Sequence, residues 1–287
     1  MRRAIATAAA TLILASLVVA QENTGTTTGG PLTVAGVPLY GIADNGDLYW
    51  YFHQGAHNGS AAWANGGRRV KVGTGWNEGL RVFKGSPRGA EGIIYRVDSR
   101  GDLYWYRHDG RLTGSTNWAA SKKVGNGWQG ARLGFAAGNG VVYLINREGD
   151  LLWYRHLGYF NGSPEWANGG NGSKVGNGWG GMRLVFSGGK GIIYAIDGRG
   201  DLYWYRHAGY TNGSFNWSNG ASGVKVGSGW NDAASAFSGG DGVIYVLKRD
   251  GNLYWYNHTG FSGGTPTWSS PTGSRIGTGW GGLVRIF

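Results

Sequence analysis

Apolar and polar positions in this chain run in short blocks punctuated by glycine, and no apolar spacing of three and four persists beyond the first twenty residues, which argues against helical solenoids and for β-structure. The stretch 183–230 shows the unit most cleanly. Arg183 to Phe186 (RLVF) is a short apolar run, Ser187 to Lys190 is a turn, and Gly191 to Ile196 (GIIYAI) is a β-branched run. A two-residue turn at Arg199-Gly200 leads into Asp201 to His207 (DLYWYRH), and Gly223 to Val226 (GVKV) supplies a fourth run. Inside Asp-Leu-Tyr-Trp-Tyr the large residues do not alternate with polar ones, so protein rather than water must cover both faces of that strand. The unit therefore predicts four short antiparallel strands lying between neighbours of the same kind.

The unit recurs five times with a period of about 50 residues, the range of propellers, solenoids and arrays. Trp50, Trp105, Trp153, Trp204 and Trp255 open a series of triplets. Trp63, Trp118, Trp166, Trp217 and Trp268 each follow 13 positions later, and Trp76, Trp128, Trp179, Trp230 and Trp280 each close a Gly-x-Gly-Trp element. Four-stranded units of this length fit a radial propeller better than an open β-solenoid, which needs caps and has shorter turns. Pro38 to Ile42 starts the series at the position of GIIYAI, and Leu283 to Phe287 ends it at the position of RLVF. The expected fold is all-β: a five-bladed propeller of four-stranded antiparallel blades over residues 37–287, closed where the C-terminal strand completes the first blade.

The Lys-Val-Gly-x-Gly-Trp element (Lys71 to Trp76, Lys123 to Trp128, Lys174 to Trp179, Lys225 to Trp230, and Arg275-Ile276 opening the fifth copy), each followed by a short apolar strand, resembles the tachylectin family over residues 37–287. The resemblance implies a five-bladed lectin that binds N-acetylated amino sugars between neighbouring blades, without a cofactor or catalysis. It also implies contacts from the second Trp, the residue before it and the Gly-x-Gly-Trp loop. Carried onto this chain, those positions are Trp63, Thr74, Trp76, Asn117, Trp118, Asn126, Trp128, Glu165, Trp166, Asn177, Trp179, Asn216, Trp217, Ser228, Trp230, Thr267, Trp268, Thr278 and Trp280. Asn117, Trp118, Asn126 and Trp128 are expected to act in one unit, and Asn216, Trp217, Ser228 and Trp230 in another. A stiff amphipathic indole beside polar groups suits a sugar ring, although two of every three tryptophans are expected to serve blade packing.

Other repeated residues have structural readings. The hydroxyl of Gly-[Ser/Thr]-x-x-Trp (Ser60, Ser115, Ser163, Ser214, Thr265) suits a turn, and Asn58, Asn161 and Asn212 before that Gly match the glycosylation acceptor pattern through the repeat alone. His53, His108, His156, His207 and His258 occupy one repeat position, where equivalent side chains converge only on the central channel, so hydrogen-bonded strand ends are expected rather than a metal site. Asp47, Asp102, Asp150 and Asp201 follow the hairpin Gly and are expected to bond turn amides. The Gly-x-Gly-x-x-Gly at Gly125, Gly127 and Gly130 lacks the helix that a dinucleotide site requires.

Arg2-Arg3, the apolar stretch to Val19 and Val18-x-Ala20 predict a signal peptide over 1–20, and the Gly- and Thr-rich 21–36 predicts a flexible leader, so a secreted monomer with no membrane span in the mature chain is expected. Zero cysteines exclude disulfides and thiol nucleophiles. Without Arg2 and Arg3, 25 basic residues stand against 16 acidic ones, a charge of +9, which leaves an anionic polysaccharide as a rival partner, with nucleic acid not expected for an exported chain. A glycoside hydrolase is the enzymatic rival. It needs a carboxylate pair outside the repeat, and Glu78, Glu91, Asp109, Glu165, Asp232 and Asp241 are scattered.

Overall fold

The computed structural model describes residues 36–287, so the expected signal peptide and all but the last residue of the leader lie outside the described residues. Five four-stranded antiparallel sheets form the blades. Blade 1 consists of Leu283–Ile286, Val37–Ala43, Leu48–His53 and Val70–Gly73, in that order from inside to outside. Blade 2 consists of Arg81–Lys84, Ile93–Val97, Leu103–Arg107 and Lys122–Gly125, and blade 3 of Leu133–Gly138, Val141–Ile145, Leu151–Arg155 and Ser173–Gly176. Blade 4 is Met182–Gly189, Ile192–Asp197, Leu202–Arg206 and Val224–Gly227, and blade 5 is Ala233–Gly240, Val243–Lys248, Leu253–Asn257 and Ser274–Gly277. The last strand of the chain pairs with the first and closes the ring, as the two ends of the repeat series predict.

Each blade carries one aromatic row across its inner three strands. In blade 2, Phe83 stands opposite Tyr95 and Tyr95 opposite Trp105; blade 4 repeats this with Phe186, Tyr194 and Trp204. Such cross-strand pairs are the unit of sheet stability, and here they also reach the next blade. Trp50 Nε1 donates to the Arg111 carbonyl of blade 2 at 2.7 Å, and Trp105, Trp153, Trp204 and Trp255 do the same round the ring. These first tryptophans are buried and belong to packing.

The histidines complete the same junctions. His108 Nε2 donates to the Ser115 carbonyl at 2.7 Å, which leaves Nδ1 to accept from Tyr40 of blade 1 at 2.8 Å. His53, His156, His207 and His258 repeat the pattern with Tyr245, Tyr95, Tyr143 and Tyr194. Both ring nitrogens of every copy are thus consumed between blades, in line with a structural role at strand ends. In the adjoining turns Asn58, Asn161 and Asn212 accept from the amides of Ser60, Ser163 and Ser214.

Two local expectations need correction. The hairpin between the second and third strands is longer than two residues: Gly200 N bonds the Asp197 carbonyl, and only Gly200 (φ +81°) is left-handed, while Arg199 is not. That is a four-residue turn ending on a left-handed Gly, the three-residue-loop type of hairpin. Nor do the aspartates after that Gly cap the turn. Asp98 and Asp197 accept the turn amides, and Asp102 and Asp201 instead pair with Lys123 and Lys225 of the fourth strand, each at 2.8 Å. Asp47 meets Lys71 at 2.7 Å in the same way, and that ammonium holds its carboxyl below the ordinary carboxylate range.

Candidate functional site

The Gly-x-Gly-Trp loop is held in place by its own blade. Trp128 N donates to the Gly101 carbonyl of the hairpin at 2.9 Å, and Trp179, Trp230, Trp280 and Trp76 bond Gly149, Gly200, Gly251 and Gly46 likewise. A left-handed Gly127 (φ +78°) makes the bend, which exposes Asn126 and turns the indole back over the strand. The indole closes so tightly that a Cβ on Gly227 would stand 2.8 Å from Trp230 Nε1. Gly227→Ala is therefore expected to push the indole out of place, costing about 1–3 kcal/mol in urea denaturation and weakening ligand binding at that one junction; unchanged stability and binding would show that the close approach is dispensable.

Each of these tryptophans makes its aromatic contacts with the next blade. Trp76 packs on Tyr106 at 4.7 Å and Trp118 at 5.8 Å; Trp128 meets Tyr154 and Trp166, Trp179 meets Tyr205 and Trp217, Trp230 meets Tyr256 and Trp268, and Trp280 meets Tyr51 and Trp63. The second tryptophan is anchored backwards: Trp118 Nε1 donates to the Val72 carbonyl of blade 1 at 2.9 Å, and Trp63, Trp166, Trp217 and Trp268 donate to Ile276, Val124, Val175 and Val226. A stacked histidine backs it, as His108 does Trp118 at 4.2 Å.

The site residues regroup accordingly. Trp118 shares a cleft with Thr74 and Trp76 of the preceding repeat, while Asn126 and Trp128 share one with Trp166 of the following repeat. The expected set Asn117, Trp118, Asn126 and Trp128 is thus split over two junctions, and the set Asn216, Trp217, Ser228 and Trp230 is split in the same way: Trp217 joins Asn177 and Trp179, whereas Trp230 joins Trp268. Sequence neighbours within one repeat lie on opposite faces of a blade. The clefts hold cavities of about 260 Å³ between blades 1 and 2, 470 Å³ between blades 2 and 3, and 170 Å³ between blades 3 and 4.

The residue before the second Trp is placed differently from expectation. Asn117, Glu165 and Asn216 are exposed but do not line their clefts, and their carbonyls accept the turn amides of Gly110, Gly158 and Gly209; the Thr267 carbonyl does the same for Gly260. The residue one step earlier, Pro164 or Phe215, lines the cleft instead, because side chains of extended backbone alternate. Tyr106 and Tyr205 also line clefts, and their signal was the second Tyr of Leu-Tyr-Trp-Tyr. It sits on the face opposite Leu and Trp.

The donors of the cleft differ in kind. The second tryptophan's Nε1 is spent on a carbonyl, but among the described residues Nε1 of Trp76, Trp128, Trp179, Trp230 and Trp280 meets no protein acceptor, and none of these atoms is an orphaned buried group. A fixed N–H open to the cleft, flanked by aromatic faces, can donate to a neutral oxygen of a ligand while the rings cover its apolar face.

Five blades, with tryptophans of neighbouring repeats meeting at each junction, define a five-bladed propeller with repeated aromatic clefts. The model of the tachylectin family matches residues 33–171 and 112–287, and the chain belongs to that family. Among solved structures it is similar to a variant of the Aleuria aurantia lectin in complex with Fucalpha1-6GlcNAc, with 17% identity over 82% of this chain and 73% of that one and a TM-score of 0.39. It is also similar to a chain in the complex of Kap60 bound to yeast RCC1 (11% identity, 83% and 59% covered, TM-score 0.39) and to a computationally designed protein (8% identity, 80% and 59% covered, TM-score 0.37). The chain spans 59% of the length of the first structures it matches. No curated protein matches it.

Proposed function

We propose that the chain is an exported multivalent lectin that binds glycans bearing N-acetylated amino sugars of the GlcNAc or GalNAc type, one at each blade junction. The open Nε1 of the Gly-x-Gly-Trp tryptophan carries this reading. An acetamido group offers a carbonyl that accepts from such a donor and a methyl group that packs on the neighbouring rings, and the exposed Thr74, Asn126, Asn177, Ser228 or Thr278 beside it suits a hydroxyl. Sites of this size bind weakly alone, but five on one rigid ring raise avidity by about 10²–10⁴ against a surface that displays many sugars. The expected targets are cell surfaces or polymers carrying such sugars, met by a monomer.

The scattered acids support a binding rather than a catalytic role. Glu78, Asp109, Asp232 and Asp241 pair separately with Arg96, Arg107, Lys248 and Arg88, and Glu91 accepts from Ser86. Each is tied to its own partner, whereas a hydrolase needs two carboxylates converging on one bond. The basic charge supports the second reading, an anionic polysaccharide partner. A glycan array at two salt concentrations, with free GlcNAc as competitor, separates the two: binding that survives salt and yields to the sugar is expected. Binding lost with salt alone favours the polyanion, and silence on every amino-sugar glycan ends the lectin proposal.

A further inference from the structure

The five innermost strands enclose an axial cavity of about 300 Å³, at the small end of small-molecule sites, walled by one phenylalanine per blade. Its lining includes three cations, Arg81, Lys84 and Arg285, and no carboxylate. The aromatic repeat explains neither this charge nor its asymmetry, because Lys84 follows Phe83 where Phe186 and Phe237 are followed by serine.

One end of the channel is covered by a loop that only blade 2 possesses. Eight residues, Gly85 to Gly92, join its first two strands, against two in blades 3, 4 and 5. Gly89 lies against Pro38 of blade 1, Gly85 accepts from Gly138 of blade 3, Pro87 lies against Gly189 of blade 4, and Arg88 pairs with Asp241 of blade 5 at 3.1 Å. A loop of one blade that touches the other four must cross the axis. Below it Lys84 is 6% exposed, its Nζ held only by a 3.4 Å contact with the Pro38 carbonyl and lying 5.5 Å from the Phe237 ring centre. Among the described residues no carboxylate comes within ion-pairing distance of it, and Glu91, the nearest acid influence, is engaged by Ser86. Burial pushes the Lys84 ammonium down to about 7, against the smaller pull of Glu91.

A buried cation without a counterion is costly, and the cost is removed by an anion that can also displace water from the phenylalanine walls. We propose that the axial channel is a second binding site, separate from the blade clefts, for a small anion with an apolar body, its carboxylate head on Lys84 and its body along the phenylalanine rings. Arg81 and Arg285 also line the channel, and their guanidinium groups, bonded to the carbonyls of Arg132, Leu80 and Gly79, add only long-range positive charge.

Calorimetric titration of the exported chain with octanoate tests this, with 1-octanol as the neutral probe of the same body. One saturable octanoate site per chain is expected, at least tenfold stronger than octanol, since a charge-assisted bond is made only by the carboxylate. Lys84→Met is expected to lose at least tenfold in octanoate affinity with GlcNAc binding unchanged. No saturable octanoate binding, octanol binding as tightly, or full octanoate affinity in Lys84→Met overturns the proposal. Should that variant fail to fold, the octanoate-to-octanol ratio of the unaltered chain decides it.

Discussion

A chain ending at Gly282 is expected to lose the cooperative unfolding of the full ring, with a fall in Tm of roughly 15 °C or more. The missing segment supplies the innermost strand of blade 1, paired through Ile286 with Gly41 and Arg285 with Ile42, and Phe287 exchanges two backbone bonds with Tyr40 at 2.9 and 3.0 Å. Ile286 and Phe287 are both buried, and Phe287 stacks on Tyr40 with ring centres 5.8 Å apart. Two large side chains returned to water cost about 1.5–3 kcal/mol each, and the bared edge of Val37–Ala43 invites pairing with other chains. The total is a large share of the roughly 5–15 kcal/mol that stabilises a typical domain. Differential scanning calorimetry with light scattering checks the result. A truncated chain that melts at the same temperature without associating would mean that closure does not depend on this strand.

Acid is expected to weaken the ring well before the carboxylates titrate. Each junction histidine is buried as the neutral tautomer that donates from Nε2 and accepts at Nδ1. A second proton would turn the Nδ1 acceptor into a donor facing the tyrosine hydroxyl. Burial lowers His53 to about 4, and it lowers His108, His156, His207 and His258 below the ordinary histidine value as well. The unfolded chain therefore binds these protons near pH 6.5 while the folded chain refuses them, so stability is level above that pH and falls as pH drops from 6.5 towards 4. For His53 alone the loss at pH 5 is on the order of 2 kcal/mol, at about 1.4 kcal/mol per pH unit. The other four act in the same direction. Urea denaturation at pH 7.5 and pH 5.0 should show the midpoint falling, with a shallower slope in His53→Gln; identical midpoints at the two pH values would mean that the junctions tolerate the charge. Because the same imidazoles stack behind the second tryptophans, the clefts should lose ligand over the same range.

Much of the architecture was legible because it is repeated. The tryptophan triplets set the number of blades, glycine punctuation marked the strands, and the unpaired first and last runs foretold closure. The hairpin was misjudged because Arg199-Gly200 reads as a two-residue turn from residue types alone, whereas Asp197 lengthens the loop by accepting the amides of Arg199 and Asp201. Asp201 was misread for a related reason: its partner Lys225 lies 24 positions away and is brought near only by pairing of the third and fourth strands.

The site was legible as a list of residues but not as a grouping. Trp118 and Trp128 are close in sequence and occupy different clefts, because a blade is one sheet thick and its two faces meet different neighbours. Which tryptophan keeps a usable N–H was likewise invisible. All fifteen carry the same indole, and only the packing shows that ten donate to carbonyls of adjacent blades while the five at Gly-x-Gly-Trp do not.

The amino-acid order by itself determined the number of blades, the strand content of each and the residue types available for a sugar, since periodicity and glycine placement are local properties of the chain. The tertiary structure alone decided which residues share a cleft, which donors stay open, and that Lys84 stands in an axial channel beneath a loop unique to blade 2. Those depend on contacts between residues about 40 to 200 positions apart, made only when the ring closes and each blade is pressed against the next.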